Sequence, residues 1–263
     1  MNSGPLGPVR RDSLDVDVVT VKFRQSRGGS AVAVPMADAG LVDLSAAYPW
    51  RTFRWFKGQK HYSGWYWCAT DQCSVIYESR LELCRLLYAD FDLSVRHIVA
   101  QPFMLSARVN GGGCQHVPDL LLITETGPVV VDVKPKDKLE DPVVADTLAW
   151  TQAAIESRGW SYEVWSEPPT VELNNRRFLS GFRRAWQFRE DLVADLRRAD
   201  LDNVSIGEAT EGLPGWPALR GIRRLKRVLP RFIRSYMKAT SDTDHASLSV
   251  IIVFFIISIA CAL

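Results

Sequence analysis

Three acidic side chains and one lysine have the types and spacing needed to work on a phosphodiester. Asp119 lies in one short apolar run (117–123), and Asp132-Val133-Lys134 closes another (129–134); Thr124-Glu125-Thr126-Gly127-Pro128 joins them. Two strands around a glycine-bearing turn of this length predict an antiparallel hairpin. Residues two apart on a strand share a face, so Asp132 and Lys134 are expected to project together, with Val129, Val131 and Val133 on the core side. Asp119 is expected to reach the same face from the neighbouring strand. Adjacent carboxylates repel unless a cation sits between them, and a hard divalent ion that keeps several waters relieves that repulsion. Lys134 beside such an ion can position or deprotonate a water and offset charge on an in-line phosphoryl transition state. Asp132 also follows Val129-Val130-Val131, where a charged group is costly without a partner. The competing reading is structural: strand-end aspartates cap turns, and Lys134 faces solvent.

The elements that must position these residues are legible nearby. Residues 77–90 (YESRLELCRLLYAD) predict an amphipathic helix, with Leu83 and Leu87 four apart and Leu81, Cys84 and Tyr88 at close to that spacing. Glu78 and Glu82 share one face of it and could supply a third carboxylate. Val95–Ala100 and Phe103–Val109 predict strands broken at Gln101-Pro102, the second running into a glycine turn at 110–113. After Pro135 the pattern changes to helix, with Asp141-Pro142 at the start, a buried stripe of Val144, Leu148, Ala149 and Ala153, and Gly159 at the stop. Trp160–Trp165 reads as a further strand. The order helix, three strands, helix, strand predicts an α/β fold with a mixed sheet and a crossover helix.

Composition sets the frame. The chain has 263 residues, net charge +2, 47% hydrophobic and 24% charged residues, which excludes a disordered polymer. Five cysteines argue against a disulfide-scaffolded secreted protein, and no apolar segment follows the N-terminal arginines as in a signal peptide. A cytoplasmic location is expected. Between Arg176 and Arg234 there are 14 Lys/Arg against 7 Asp/Glu, beside a body that is net acidic. Such a segment suits a polyanionic partner or an acidic protein surface, or is simply a solvated helix face.

Four segments are expected: an N-terminal arm (1–49) with at most one strand (Val16–Phe23), a main domain (50–170), a basic helical region (171–245) and an apolar tail (246–263). Basic helices are predicted over Leu173–Arg198 and Pro217–Lys238. The tail, ASLSVIIVFFIISIACAL, carries no charge and follows a basic run. It fits a minimal membrane anchor facing the cytoplasm, a buried element, or an extension beyond the domain. The stretch WRTFRWFKGQKHYSGWYW (50–67) interleaves aromatic and basic residues that can stack bases and contact phosphates, or pack on the core.

Other sites carry less. Cys68-x4-Cys73 and Cys114-x-His116 lack the usual spacing of a zinc site, and Cys84 reads as core. If 116–119 is one strand, His116 and Pro118 face away from Val117 and Asp119, which sets His116 aside as a metal ligand. Gly111-Gly112-Gly113 reads as a turn, since no helix with Lys-Ser/Thr follows it.

Val117-Pro118-Asp119 followed by Asp132-Val133-Lys134 resembles the PD-(D/E)xK nuclease motif, with Ser79-Arg80-Leu81-Glu82 in the place of the family's helical glutamate. The wider run, HYSGWYW (61–67), IYESRLE (76–82), DFD (90–92), AQPF (100–103), HVPD (116–119), VVDVKP (130–135) and GW (159–160), is similar to TnsA-like endonuclease subunits of heteromeric transposases over roughly residues 50–185. That resemblance implies a restriction-endonuclease-like αβββαβ core with a small helical C-terminal region. It implies a DNA endonuclease dependent on Mg²⁺, or Mn²⁺ in its place, that nicks one strand at each transposon end. Its partners would be DNA, an integrase-like transposase subunit and an ATP-dependent regulator. Glu82, Asp119 and Asp132 would bind metal, with Glu78 the alternative helix carboxylate, and Lys134 would be the catalytic lysine. TnsA itself carries glutamine where Asp132 stands. A free-standing restriction or repair nuclease, and a non-catalytic DNA- or protein-binding module keeping the fold, are the rival readings.

Overall fold

Ser79-Arg80-Leu81-Glu82 forms a capping box, and it starts the helix that carries Glu82: the Ser79 hydroxyl accepts the Glu82 N–H at 3.1 Å, and the Glu82 carboxylate reaches back to the Glu78 N–H at 2.8 Å. The computed structural model describes residue 16, residues 18–51, 62–109 and 111–181, and single helical positions at 190, 191, 194 and 198. The chain divides into two units, Met1–Glu167 and Pro168–Leu263.

In chain order the first unit contains β1 (Thr20–Arg24), β2 (Ala31–Pro35), α1 (Leu41–Ser45), β3 (Gly64–Cys68), β4 (Cys73–Tyr77) and α2 (Arg80–Phe91). There follow β5 (Val95–Ala100), β6 (Met104–Val109), β7 (Gly112–His116), β8 (Leu120–Thr124), β9 (Gly127–Val133), α3 (Pro142–Glu156) and β10 (Ser161–Trp165). In the second unit α4 (Thr170–Ser180) is described. The molecule is therefore a mixed α/β protein with several sheets.

The sheet that matters for the site has the order β10-β9-β8-β5. β5, β8 and β9 run antiparallel in turn, whereas β10 lies parallel to β9. A parallel neighbour needs a crossover, and α3 supplies it, with Asp141 accepting the Val143 N–H and Pro142 in the first turn. The helix buries Leu148, Trp150, Thr151, Ala154 and Ile155. Its apolar stripe is thus rotated from the expected one: Leu148 is buried, Val144 and Ala149 are half-buried, and Ala153 is exposed. Gly159 at φ +75° ends the turn that leads into β10.

Both faces of this sheet are covered. Val130, Leu121 and Val99 pack with Trp150 and Ile155 on one side, while Val131, Val133, Leu120 and Ile98 pack with Leu86 and Ala89 on the other. This corrects the expectation that only Val129, Val131 and Val133 face a core. The near-continuous valine run is what a doubly covered strand requires.

Between β5 and β8 the chain leaves the sheet. Gln101, at φ +48°, turns it into β6, which joins a second sheet of order β2-β1-β6-β7. The residues expected as a glycine turn therefore include a strand, β7, and the run expected over 117–123 begins its pairing only at Leu120. The described part of the expected N-terminal arm holds β1, β2 and α1, and β1 is the second sheet's inner strand against β6. The helix expected from 77 begins at Arg80, and the one expected from 173 begins at Thr170. The expected helix Pro217–Lys238 and the apolar stretch 246–263 lie outside the described residues. Among the described residues no helix is long and apolar enough to cross a membrane.

Candidate active site

Asp119 sits at the rim of the β10-β9-β8-β5 sheet, one residue before β8, held from both sides by backbone. Its N–H donates to the Val131 carbonyl at 3.1 Å, and its carbonyl accepts the Gln101 N–H at 2.9 Å. Its carboxylate Oδ2 accepts the Val133 N–H at 2.7 Å and lies 3.6 Å from the Lys134 ammonium. Lys134 is the first residue past β9; its own N–H bonds the Trp165 carbonyl, and the Ser166 hydroxyl bonds its carbonyl, so the end of β10 fixes its backbone. The hairpin thus brings the expected Asp119 and Lys134 into contact.

Glu82 approaches from α2, which packs on the Val131/Val133 face. Burial raises its carboxyl from 4.5 to about 7, with the Asp119 charge as the second cause. Burial likewise raises Asp119 from 3.8 to about 6, opposed by Lys134, reinforced by Asp132, and opposed again by the Val133 N–H and His116. The two acids are electrostatic neighbours whose ionised forms are under-compensated. Glu78 is half-buried beside them, with the Arg51 guanidinium 3.6 Å from its carboxylate.

Asp132 is fully buried. By strand alternation it shares the Val130 face, opposite to the one on which α2 packs. Both its oxygens are engaged: Oδ1 lies 2.7 Å from His116 Nε2, and Oδ2 accepts the Tyr162 hydroxyl. Burial, then the Asp132 charge, pushes the Tyr162 hydroxyl far up, so it remains a donor. Trp150 packs edge-on against the His116 ring, centroids 6.4 Å apart.

His116 and Tyr162 are residues that sequence reasoning missed. The alternation argument applied to His116 assumes an unbroken strand through Asp119, but β7 ends at His116 and residues 117–119 form a connection to another sheet. A buried aspartate in a valine run demands donors, and that demand was the available signal. Gln101 is a third: a buried, left-handed residue whose carboxamide oxygen accepts the Arg51 N–H and whose carbonyl accepts the Trp50 N–H, tying the start of the aromatic and basic segment to the Asp119 connection. Residues 52–61 of that segment lie outside the described residues.

Among the described residues no group of three His, Cys, Asp or Glu side chains stands ready to cage a metal. That result also covers the cysteine pairs: Cys68 and Cys73 face each other across β3 and β4, whereas Cys114 and His116 are on β7. The carboxylates at the rim still suit one kind of ion. Their donors are hard oxygens, burial raises the proton affinity of Glu82 and Asp119, and Mg²⁺ is held through one or two carboxylates with most of its waters retained. Zinc would want nitrogen or sulfur in a closed tetrahedron, which this rim does not offer.

His97 is a cationic site of another kind. Its Nδ1 lies 2.5 Å from the Asp71 carboxylate and its Nε2 lies 2.8 Å from the Ser45 carbonyl, two groups that only accept. The Asp71 hydrogen bond is the first cause of its raised pKa. The ring clasps α1 and the β3–β4 turn to β5 and serves the fold. No protein-family model matches this chain, and no curated protein matches it either.

Proposed function

We propose that this chain is a Mg²⁺-dependent DNA endonuclease with a restriction-endonuclease-like core, serving as the TnsA-like, single-strand-nicking subunit of a heteromeric transposase. The observation that carries the reading is the Lys134 ammonium 3.6 Å from the Asp119 carboxylate, with Glu82 as an electrostatic neighbour. The connection order α2-β5-β8-β9-α3-β10, with a β6–β7 excursion, supports it, since it is the helix, three strands, helix, strand order that such a core requires.

By the motif Glu82, Asp119 and Asp132 would hold the ion; Glu82 and Asp119 meet at the rim, whereas Asp132 is fully buried with both oxygens bonded and would have to give up a donor to join them. When bound, Mg²⁺ supplies Lewis-acid polarisation of the scissile phosphate and a more acidic water. The residues do the rest. Lys134 holds its ammonium beside Asp119, where it can orient the attacking water and offset charge building on the phosphoryl oxygens. Arg51, whose backbone Gln101 fixes, and the basic residues after Arg176 would neutralise backbone phosphates without reading sequence.

The test is nicking of supercoiled plasmid and of transposon-end DNA in Mg²⁺ against EDTA, with and without an integrase-like transposase. Lys134→Ala and Asp119→Ala are expected to lose at least 100-fold in nicking rate while keeping the wild-type circular dichroism spectrum. Wild-type rates in either variant sink the mechanism. One observation favours a second reading: both oxygens of Asp132 are already engaged, as in a module that keeps the fold for binding alone. DNA binding indifferent to Mg²⁺, with no cleavage under any partner condition, would establish that reading instead.

A further inference from the structure

We propose that the Arg80 guanidinium, stacked on the Tyr62 ring at the start of α2, clasps a backbone phosphate of DNA beside the one that is cut. Which phosphate it takes rests on the nuclease reading above; the phosphate contact itself requires no cleavage. Arg80 is exposed, and its guanidinium carbon lies 4.7 Å from the centre of the Tyr62 ring. Among the described residues two other arginines lie over aromatic rings, and both spend N–H groups on backbone carbonyls. Arg24, over Trp50, donates to the Trp50 carbonyl, and Arg158, over Trp160, donates to the carbonyls of Ala37 and Ala39. The Arg80 guanidinium has no hydrogen-bond or ion-pair partner among the described residues. Its planar fork of donors is thus oriented by the ring and left open, which suits two parallel bonds to a phosphate.

The ring beneath it is itself fixed. Tyr62 stacks on Tyr77, with centroids 6.5 Å apart and planes at 22°. Tyr77 is buried on β4 opposite Gly64 of β3, where glycine leaves it room: a Cβ on Gly64 would lie 2.7 Å from the ring carbon that bears the hydroxyl. Gly64 seats Tyr77, Tyr77 backs Tyr62, and Tyr62 carries Arg80. The helix does not call for this cation, because a positive charge in its first turn opposes the dipole. Charge and place point to a polyanion. From residue 44 to residue 70 the sequence has four Lys/Arg and no Asp or Glu, so the segment that brings in Tyr62 is cationic throughout. Arg80 precedes Glu82 by two residues, and their side chains leave the helix about 200° apart. Glu82 is the electrostatic neighbour of Asp119, so Arg80 reaches a flanking phosphate and not the scissile one. A merely structural pair predicts something different: the guanidinium would only cover the Tyr62 ring, and its loss would lower stability while leaving DNA affinity alone.

The experiment is fluorescence anisotropy of a labelled random-sequence duplex with the full chain in EDTA across a salt series, alongside thermal unfolding without DNA. Arg80→Gln is expected to weaken binding about 10-fold and to make the slope of log K against log salt shallower by about 0.9, one phosphate contact. Its unfolding temperature should be no lower than that of wild type. Arg80→Lys keeps the charge without the fork, and Tyr62→Ala removes the platform; each is expected to keep the slope and to bind about 2–5-fold more weakly. Tyr62→Phe, which keeps the ring, is expected to bind as wild type does. Arg96→Ala, at an exposed arginine already paired with Glu125, is expected to leave the slope unchanged. A folded Arg80→Gln protein with wild-type affinity and slope would overturn the inference while leaving a nicking wild-type enzyme intact. An Arg96→Ala slope that falls as far as the Arg80→Gln slope would overturn it too. The expected pattern in a protein that never cuts DNA would keep the phosphate contact and remove the nuclease reading.

Discussion

Glu82 is a side chain whose state depends on solution conditions. Its carboxyl is raised to about 7 in the fold by burial first and by Asp119 second, against an ordinary value near 4.5. Below both values the group is protonated in folded and unfolded chains and costs nothing. As pH rises through about 4.5 the unfolded chain ionises first, so the folded state loses stability relative to it until about pH 7, where the fold ionises too. Asp119, raised to about 6, acts in the same direction over a lower window. Metal-free protein is therefore expected to melt at lower temperature at pH 8 than at pH 5. Glu82→Gln should reduce that difference, so its melting temperature relative to wild type in EDTA rises with pH. Mg²⁺ should restore wild-type stability at pH 8 more than at pH 5, because the ion must displace protons at the lower pH. Calorimetric scans across this range check all three, and a Glu82→Gln offset that does not vary with pH would refute the assignment of a strained carboxyl.

Among the elements, α2 is fixed at one end by its capping box and at the other by Asp90. A carboxylate near a helix C-terminus opposes the helix dipole, and Asp90 is almost fully buried. It persists because the β3–β4 hairpin surrounds it with donors: the N–H groups of Ala69 and Thr70, the Thr70 and Tyr66 hydroxyls and the Cys68 thiol. Asp90→Asn turns an amide NH₂ against some of these donors, and urea unfolding should show a loss of about 2–4 kcal/mol. A loss under about 0.5 kcal/mol would mean the hairpin is not anchored there. The Ser79 cap, which moves the start of α2 from 77 to Arg80, was passed over, whereas the capping residue Asp141, the crossover order and the Asp119–Lys134 hairpin were readable because they rest on local spacing. The path from Gln101 to His116 was not. A Gly-Gly-Gly run carries no apolar alternation, so β7 is invisible, and its pairing with β6 in a second sheet is a tertiary fact. The Asp132 donors follow from that hidden strand and from β10. The sequence required such partners without naming them.

At the scale of the whole molecule, charge is divided as the units are. The excess of Lys/Arg between Arg176 and Arg234, 14 against 7 acidic residues, falls in the unit Pro168–Leu263, while the rim of Asp119, Asp132 and Lys134 belongs to Met1–Glu167. If chemistry and non-specific DNA affinity follow that division, the two can be separated experimentally. Each phosphate neutralised by a protein cation releases counterions, and the slope of log K against log salt changes by roughly 0.9 per contact on duplex DNA. A chain ending at Glu167 is expected to keep its own cooperative unfolding transition and its Mn²⁺ affinity. Its salt slope on duplex DNA should be shallower than that of the full chain by about 3 or more, with nicking recovered at high protein concentration and low salt. Fluorescence anisotropy of a labelled duplex across a salt series measures the slope directly. An unchanged slope in the folded fragment would move the phosphate contacts onto the first unit, to Arg51, Arg80 and their neighbours, and would leave the basic segment after Arg176 to an acidic protein surface instead.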